Sequence, residues 1–261
     1  MKCLVTGGAG FIGSNLADRL IKEGHIVRII DNLSAGKKEN VNKAADFCLR
    51  DICEFEEIRP LFEGFDYVFH LAAVRRVPLS VKDPVSTTKN NILGTVNVFK
   101  AAAENSIKRV VFASSSSVYG NQKSLPLKET MIPAPRSPYA LQKLTGEQFA
   151  DLFYELYGLN TVSLRFFNVY GPGIDFDSDY SLVLGKFLKA KSEGRKMLIY
   201  GDGEQTRGFC YVDDVVRANI RAMQADFSGN KVINIGSGKS YSINRLGQLV
   251  GGETEHLAPR Q

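Results

Sequence analysis

A short apolar strand that runs into the glycine-dense stretch TGGAGFIGS, and out of it into an amphipathic helix, restricts this chain to a small set of folds. Lys2 to Thr6 reads as a strand, and Phe11 to Glu23 carries Ile12, Leu16 and Leu20 at helical spacing. Gly24 is a helix stop, and His25 to Ile30 is a second strand. Short strands recur at Asp46 to Leu49, Tyr67 to His70, Arg109 to Ala113 and Thr161 to Phe166. Helical patterns lie between them, the longest over Val85 to Glu104 and Ser137 to Tyr157. Strands that alternate with helices predict parallel pairing, hence an α/β fold with a doubly wound sheet over residues 1–170. From about Gly171 the pattern loosens into the loop GPGIDFDSDY, then short strands at Met197 to Tyr200, Phe209 to Tyr211 and Val232 to Ile235. Helices are predicted at Asp213 to Gln224 and Ser242 to Val250. Residues 171–261 are therefore expected to form a smaller mixed α/β lobe, a lid over the carboxyl ends of the strands, where ligands of such sheets bind.

Composition narrows the function classes. With 261 residues, 44% hydrophobic and 23% charged, the chain has the make-up of an ordinary globular protein. The net charge of +5 is not gathered into a Lys/Arg run, so no nucleic-acid partner is indicated. Cys3, Cys48, Cys53 and Cys210 form no CxxC pair, and His25, His70 and His256 lack ligand spacing; no metal is expected. No apolar run reaches membrane-spanning length, and the sequence enters its first strand with no room for a signal peptide, so no membrane partner and a cytoplasmic location are expected.

Gly7, Gly8, Gly10 and Gly13 stand directly before a helix, where glycine permits a tight turn and lets backbone N–H groups approach a pyrophosphate. A glycine pattern alone is weak. Placed between the strand and the helix of the first βαβ unit, it carries weight as the mark of a Rossmann-type dinucleotide site. Asp31 closes the second strand, where a carboxylate can accept hydrogen bonds from the adenosine ribose and disfavour a 2′-phosphate. By itself Asp31 is a turn residue; with the glycines it selects NAD. Lys37 and Lys38 lie close by and keep NADP open, or are simply a solvated loop.

The run SSSS at Ser114–Ser117 admits two readings, a flexible linker or a strand end that presents hydroxyls to a substrate. Beyond it comes SPYALQK, in which Tyr139 and Lys143 stand four apart on one helix face. A phenol titrates near ~10, and a neighbouring ammonium with the positive charge of an oxidised nicotinamide would favour its ionised form. Tyr-x-x-x-Lys is common by chance. After a serine-bearing strand end, in a chain with a dinucleotide cradle, it becomes a specific signal.

TGGAGFIGS, DNLSAGKKENV, HLAA, NNILGT, SSSSVYG, SPYALQK, LRFFNVYGPG and GDGEQTRGFCYVDDV together resemble the extended short-chain dehydrogenase/reductase family. Within it they are most similar to the NAD-dependent nucleotide-sugar epimerases and dehydratases, the UDP-glucose 4-epimerases above all. The resemblance covers nearly the whole chain and keeps the order of the motifs. It implies Ser115 as the catalytic serine, Tyr139 as the base and Lys143 as its partner, with Ser114, Ser116 and Ser117 in supporting places. For the cofactor it implies Gly7, Gly10, Phe11, Ile12, Gly13, Asp31 and Asn32, with Asp51 and Ile52 at the adenine. Leu71, Ala72, Ala73 and Asn90 would wall the cofactor, Tyr139 and Lys143 would touch it, and Phe167 would face the nicotinamide. Ser115, Tyr139, Asn168 and Arg207 would bind the nucleotide-sugar, the last two at its diphosphate, which suits the two-pronged donor of a guanidinium. Arg75 and Arg76 would reach the substrate or lie exposed.

In the similar 4,6-dehydratases an Asp and a Glu follow the catalytic position, and related decarboxylases carry a Glu at the second place. Here Ser116 and Ser117 stand there, and hydroxyls cannot supply acid and base at neutral pH. The expected reaction is inversion at C4 of a UDP-hexose through a transient 4-keto sugar. A nucleotide-sugar reductase, another epimerase of the family and a dinucleotide-binding module without turnover are the competing readings. The family carries further sequence beyond a Pro-Arg segment like that ending at Arg260, itself similar to another diphosphate ligand, so the sugar pocket is expected to be shortened. Val96, Phe99, Leu152, Phe153 and Leu156 extend the two longest helices beyond one narrow apolar stripe; the resemblance implies a homodimer paired through these helices, and core packing against the sheet explains many of the same residues.

Overall fold

The computed structural model describes residues 1–174 and 183–259. Its strands are β1 (Lys2–Thr6), β2 (Ile26–Asp31), β3 (Asp46–Leu49), β4 (Tyr67–His70), β5 (Arg109–Ser115), β6 (Thr161–Phe166), β7 (Asn168–Tyr170), β8 (Met197–Tyr200), β9 (Thr206–Tyr211), β10 (Asn230–Ile235), β11 (Ser240–Ser242) and β12 (Thr254–Leu257). Its helices are α1 (Phe11–Lys22), α2 (Phe55–Ile58), α3 (Val77–Lys82), α4 (Pro84–Thr88), α5 (Gly94–Glu104), α6 (Pro138–Tyr157), α7 (Val183–Ser192), α8 (Val212–Gln224) and α9 (Ile243–Val250).

Seven strands form one sheet in the order β10-β6-β5-β4-β1-β2-β3, every neighbouring pair parallel. The order reverses between β1 and β4, and a crevice opens at such a switch point, beyond the carboxyl ends of the strands. The strands are buried on both faces, so they read as continuous apolar runs: Leu4, Val5, Val68, Phe69, Val110, Val111 and Phe112 are all essentially inaccessible. Phe99 and Phe153 meet edge-on at 5.7 Å in the layer that α5 and α6 pack onto the sheet.

The chain divides into a unit of Met1–Phe166 with Asp213–Ile235 and a unit of Phe167–Val212 with Gly236–Gln261. A single boundary near residue 170 is thus corrected. The expected strand at Val232 to Ile235 and helix at Asp213 to Gln224 leave the smaller lobe and return as β10 and α8 to the large sheet. Two forces bring them back. The backbone groups on the outer side of β6 would be unpaired without a further strand, and Asn230 to Ile235 pairs with Thr161 to Phe166 along its whole length. Arg109, buried at the start of β5, donates to the carbonyls of Ala222 and Met223 at 3.1 Å, of Phe227 at 2.7 Å, and of Ala225. A guanidinium cannot be left dry without acceptors, and the carbonyls at the end of α8 supply them.

The expected helix over Val85 to Glu104 is interrupted. Lys89–Leu93 forms a π-helical turn between α4 and α5. Such turns gather at functional positions, and this one rotates Asn91 inward.

The second unit has a three-stranded sheet, β11-β9-β7, and a parallel pair, β12-β8. Its core is Phe187, Met197, Ile199, Phe209, Ile243 and Leu246. Among the described residues no helix is long and apolar enough to cross a membrane, and no cluster of His, Cys, Asp or Glu is placed to hold a metal ion.

Candidate active site

The turn after β1 is shaped by two close approaches. Gly7 has φ +74°, and a Cβ there would come within 2.6 Å of the Ala72 backbone nitrogen. Glycine therefore lets the loop after β4 lie against the loop after β1, at the switch point of the sheet. A Cβ on Gly13 would strike the Gly7 carbonyl oxygen, so α1 must begin with glycine on that side. The N-terminus of α1 has no side-chain cap and no acidic residue in its first turn. Its first N–H groups, at Phe11, Ile12 and Gly13, are the donors a helix cannot satisfy by itself, and its dipole adds positive potential there. This is a cradle for a diphosphate.

Asp31 is nearly buried at the end of β2 and accepts Ala9 N–H at 3.0 Å and Leu33 N–H at 2.8 Å. A carboxylate has about four acceptor sites, so it retains capacity for ribose hydroxyls. Asn32 donates to Asp51 at 3.0 Å, and Asp51 also accepts Cys53 N–H at 2.8 Å. Lys38 stands 3.3 Å over the Phe47 ring and Lys37 N–H binds Ala9 O, so the loop is tied to its surroundings while both lysines stay exposed to solvent. Asn40, which the sequence did not single out, donates to the same Ala9 carbonyl at 3.0 Å.

The loop after β4 is fixed by groups at its root. Leu71 N–H bonds Thr6 O, and Ala72 N–H donates to Thr6 Oγ1 at 3.3 Å. His70 bridges Thr6 and Thr95 at 2.8 Å and 3.0 Å, and burial pushes its imidazole down to about 3, so it is neutral. Ala73 follows, and Asn91 clamps the next peptide by accepting Val74 N–H at 2.7 Å and donating to Val74 O at 3.0 Å. Asn90 and Ile52 are placed as follows. The Asn90 amide turns to Ser86 O of its own helical segment, and Asn91 is the one that braces the wall. The Ile52 side chain is buried in the core, so that residue has only backbone to offer an adenine.

Ser115 is the last residue of β5, and Ser137 caps α6 by accepting Ala140 N–H at 3.2 Å. That cap, with Pro138 at the first helical position, sets Tyr139, Lys143 and Glu147 on one face at successive turns. Burial raises the Tyr139 phenol above its ordinary value, while the Ser115 hydroxyl, by hydrogen bonding, and the Arg75 charge pull it back down. Lys143 is buried; its Nζ donates to Ala113 O at 2.7 Å and stands 4.9 Å from the centre of the Phe112 ring. Desolvation pushes this ammonium down to about 7, against the upward pull of Glu147. Lys143 stands one turn along the same helix face as Tyr139, and Arg75 is the charge that bears on the phenol in its own titration range, where an ammonium held at about 7 is already neutral.

The serines divide their work. Ser114 turns into the core and donates to the Glu147 carboxylate, which is held by Arg165 Nε at 2.9 Å and Nη2 at 2.6 Å. Arg165 lies 4.6 Å over the Tyr119 ring, and Tyr119 donates to Asn234 at 2.7 Å. Asn234 in turn holds Leu127 O and Glu129 of the loop before α6. Glu147 was not found from sequence, although the spacing that pairs Tyr139 with Lys143 places it one turn further along.

Phe167, Asn168 and Arg207 lie in the second unit. Asn168 donates to Gly208 O at 2.8 Å, and the Phe167 ring covers Gly208 and Gly236. Arg207 is exposed on β9 next to Gly208. Arg260 lies outside the described residues.

Comparison with known proteins agrees with this geometry. Residues 3–236 match the model of the NAD dependent epimerase/dehydratase family. A UDP-glucose 4-epimerase of Mycolicibacterium smegmatis is 38% identical over 97% of this chain and 82% of its own length. A UDP-N-acetyl-alpha-D-glucosaminuronate decarboxylase of Bacillus cytotoxicus is 39% identical over 95% of this chain and 78% of its own. The crystal structure of UDP-glucose 4-epimerase with UDP-glucose from Thermotoga maritima superposes with a TM-score of 0.95 at 40% identity, over 100% of this chain and 87% of that one. An uncapped helix start, a close glycine turn and a strand-end carboxylate lie at the carboxyl ends of a sheet that these proteins share; the chain belongs to the NAD dependent epimerase/dehydratase family, with NAD as its cofactor.

Proposed function

We propose that the chain inverts C4 of a UDP-hexose. The observation that carries this reading is the composition of the β5 terminus: the Ser115 hydroxyl bears on the Tyr139 phenol, lowering its pKa, and only hydroxyls, at Ser116 and Ser117, follow where elimination or decarboxylation needs a carboxylate. NAD bound in the cradle supplies a hydride acceptor that gives the hydride back, so no net oxidation occurs. Tyr139 as phenolate takes the proton of the C4 hydroxyl. Ser115 donates to the same oxygen and steadies the charge that develops on it. Lys143 keeps positive potential beneath the site, and Asn168 and Arg207 hold the diphosphate. When the 4-keto sugar has presented its other face, Tyr139 returns the proton.

The test is direct. The purified protein, given UDP-galactose or UDP-N-acetylgalactosamine without added NAD, is expected to produce the gluco-configured anomeric proton signal by NMR. Carbon dioxide from a UDP-hexuronate, or a 4-keto-6-deoxy product, would replace the epimerase reading with decarboxylation or dehydration. No turnover after NAD is supplied would reject it for these sugars.

A homodimer belongs to the same proposal. Phe99 and Phe153, two of the residues expected at the contact, are core residues, and Val96 packs against that core. Leu141, Leu152 and Leu156 on α6, with Val85 and Leu93 on the adjoining helical segment, are the exposed apolar residues a partner copy would cover. The double variant Leu152→Glu, Leu156→Glu is expected to sediment as a monomer where the wild type sediments as a dimer. A monomeric wild type removes the proposal.

A further inference from the structure

Ser117 is the one hydroxyl of the serine run whose bonds end on the reacting group. Ser115 opens the 3-10 turn Ser116–Tyr119, and its side chain caps that turn by accepting Ser117 N–H at 3.2 Å. The Ser117 hydroxyl lies 2.9 Å from the same Ser115 oxygen, and donates to it. A serine hydroxyl has two acceptor lone pairs and one proton. With both lone pairs taken inside that turn, the proton is left to point out of it, and the Ser115 hydroxyl bears on the Tyr139 phenol.

We propose that Ser117 is a positioning residue for the reaction: its two bonds to Ser115 Oγ lock that hydroxyl as a donor, toward Tyr139 before the sugar arrives and to the sugar C4 oxygen once it is bound. The inference rests on the epimerase reading for its chemistry, but its geometry concerns residues of this chain alone. Donation from Ser115 favours the ionised phenol, in the same sense as the Arg75 charge and against burial. Lys143 and Glu147, the ionisable groups that follow Tyr139 on the same face of α6, are bonded to Ala113 O and to Arg165.

The test uses Ser117→Ala and Ser117→Thr in the full chain with NAD bound. Two readouts are taken: kcat and KM across pH, and the ultraviolet titration of Tyr139, isolated by subtracting the spectrum of the Tyr139→Phe protein. Loss of one hydrogen bond to a charge-bearing group predicts kcat down by about tenfold in Ser117→Ala with KM little changed. The Tyr139 titration should move to higher pH, and Ser117→Thr should restore both. Wild-type kcat and titration in Ser117→Ala would overturn the inference, and so would a raised KM with kcat intact, which would make Ser117 a sugar contact. Ser117→Thr as impaired as Ser117→Ala would overturn it as well. If the wild type turns over none of the sugars, the epimerase reading fails alone, and the titration still decides whether Ser117 sets Ser115.

Discussion

Replacing Tyr139 by phenylalanine is expected to lower kcat for epimerisation by about 10³-fold, the middle of the range for removing a positioned general base. The bound dinucleotide should be retained, because the cradle of Gly7, Gly13 and Asp31 is built on other elements. Burial raises the Tyr139 phenol, so in wild type the rate should climb with pH as the phenolate forms. The sign follows from the role: a base works in its deprotonated form, and a raised pKa moves the ascending limb to higher pH. Arg75 opposes burial, so Arg75→Met should carry that limb further up. Turnover within tenfold of wild type in Tyr139→Phe, or a rate that falls as pH rises through the neutral range, would remove Tyr139 from the role.

Glu147→Ala is expected to destabilise the fold by about 3–5 kcal/mol, the cost of removing one partner from a buried ion pair. Glu147 and Arg165 are each only 4% exposed at the side chain. Without the carboxylate, Arg165 keeps an uncompensated charge over Tyr119, and Ser114 loses its acceptor. Lys143 loses the group that holds it up, so its ammonium should fall below about 7. Denaturant midpoints of the purified variants measure the first effect, and an unchanged midpoint would mean that the pair contributes nothing. Wild type tests the second through linkage. Lys143 is depressed from 10.5 in an unfolded reference to about 7 when folded. Between those values the unfolded chain binds a proton that the folded chain does not, so stability should rise with pH across that window. Lys143→Met should flatten that rise, and an identical pH dependence in the variant would show that another group is responsible.

Local structure was legible wherever period and turn chemistry act over a few residues. Lys2–Thr6, Asp46–Leu49, Tyr67–His70, Thr161–Phe166 and Met197–Tyr200 fold as strands with the limits read from their apolar runs. The glycine turn is equally local: strand, tight turn and helix start are neighbours in the chain, and close approach there demands glycine. The spacing of Tyr139 and Lys143 is set by the helix that Ser137 and Pro138 begin. Less was legible where an irregular turn shifts the phase. The π-helical turn at Lys89–Leu93 buries Asn91 against the Val74 backbone, and a uniform helical period cannot show it.

By itself the sequence determined the alternation of elements, the parallel sheet, the dinucleotide cradle and the family to which the chain belongs. Only the tertiary structure decided that α8 and β10 return to the edge of β6, because the acceptors Arg109 needs lie more than a hundred residues away. It alone divided the four serines, sending Ser114 to Glu147 and Ser117 to Ser115, although all four are the same letter. It alone set the ionisation of Tyr139 and Lys143, because a pKa depends on burial and on charges such as Arg75 and Glu147 that the fold brings near. Period and turn chemistry are written in neighbouring residues; desolvation, ion pairing and hydroxyl orientation exist only once distant residues have met.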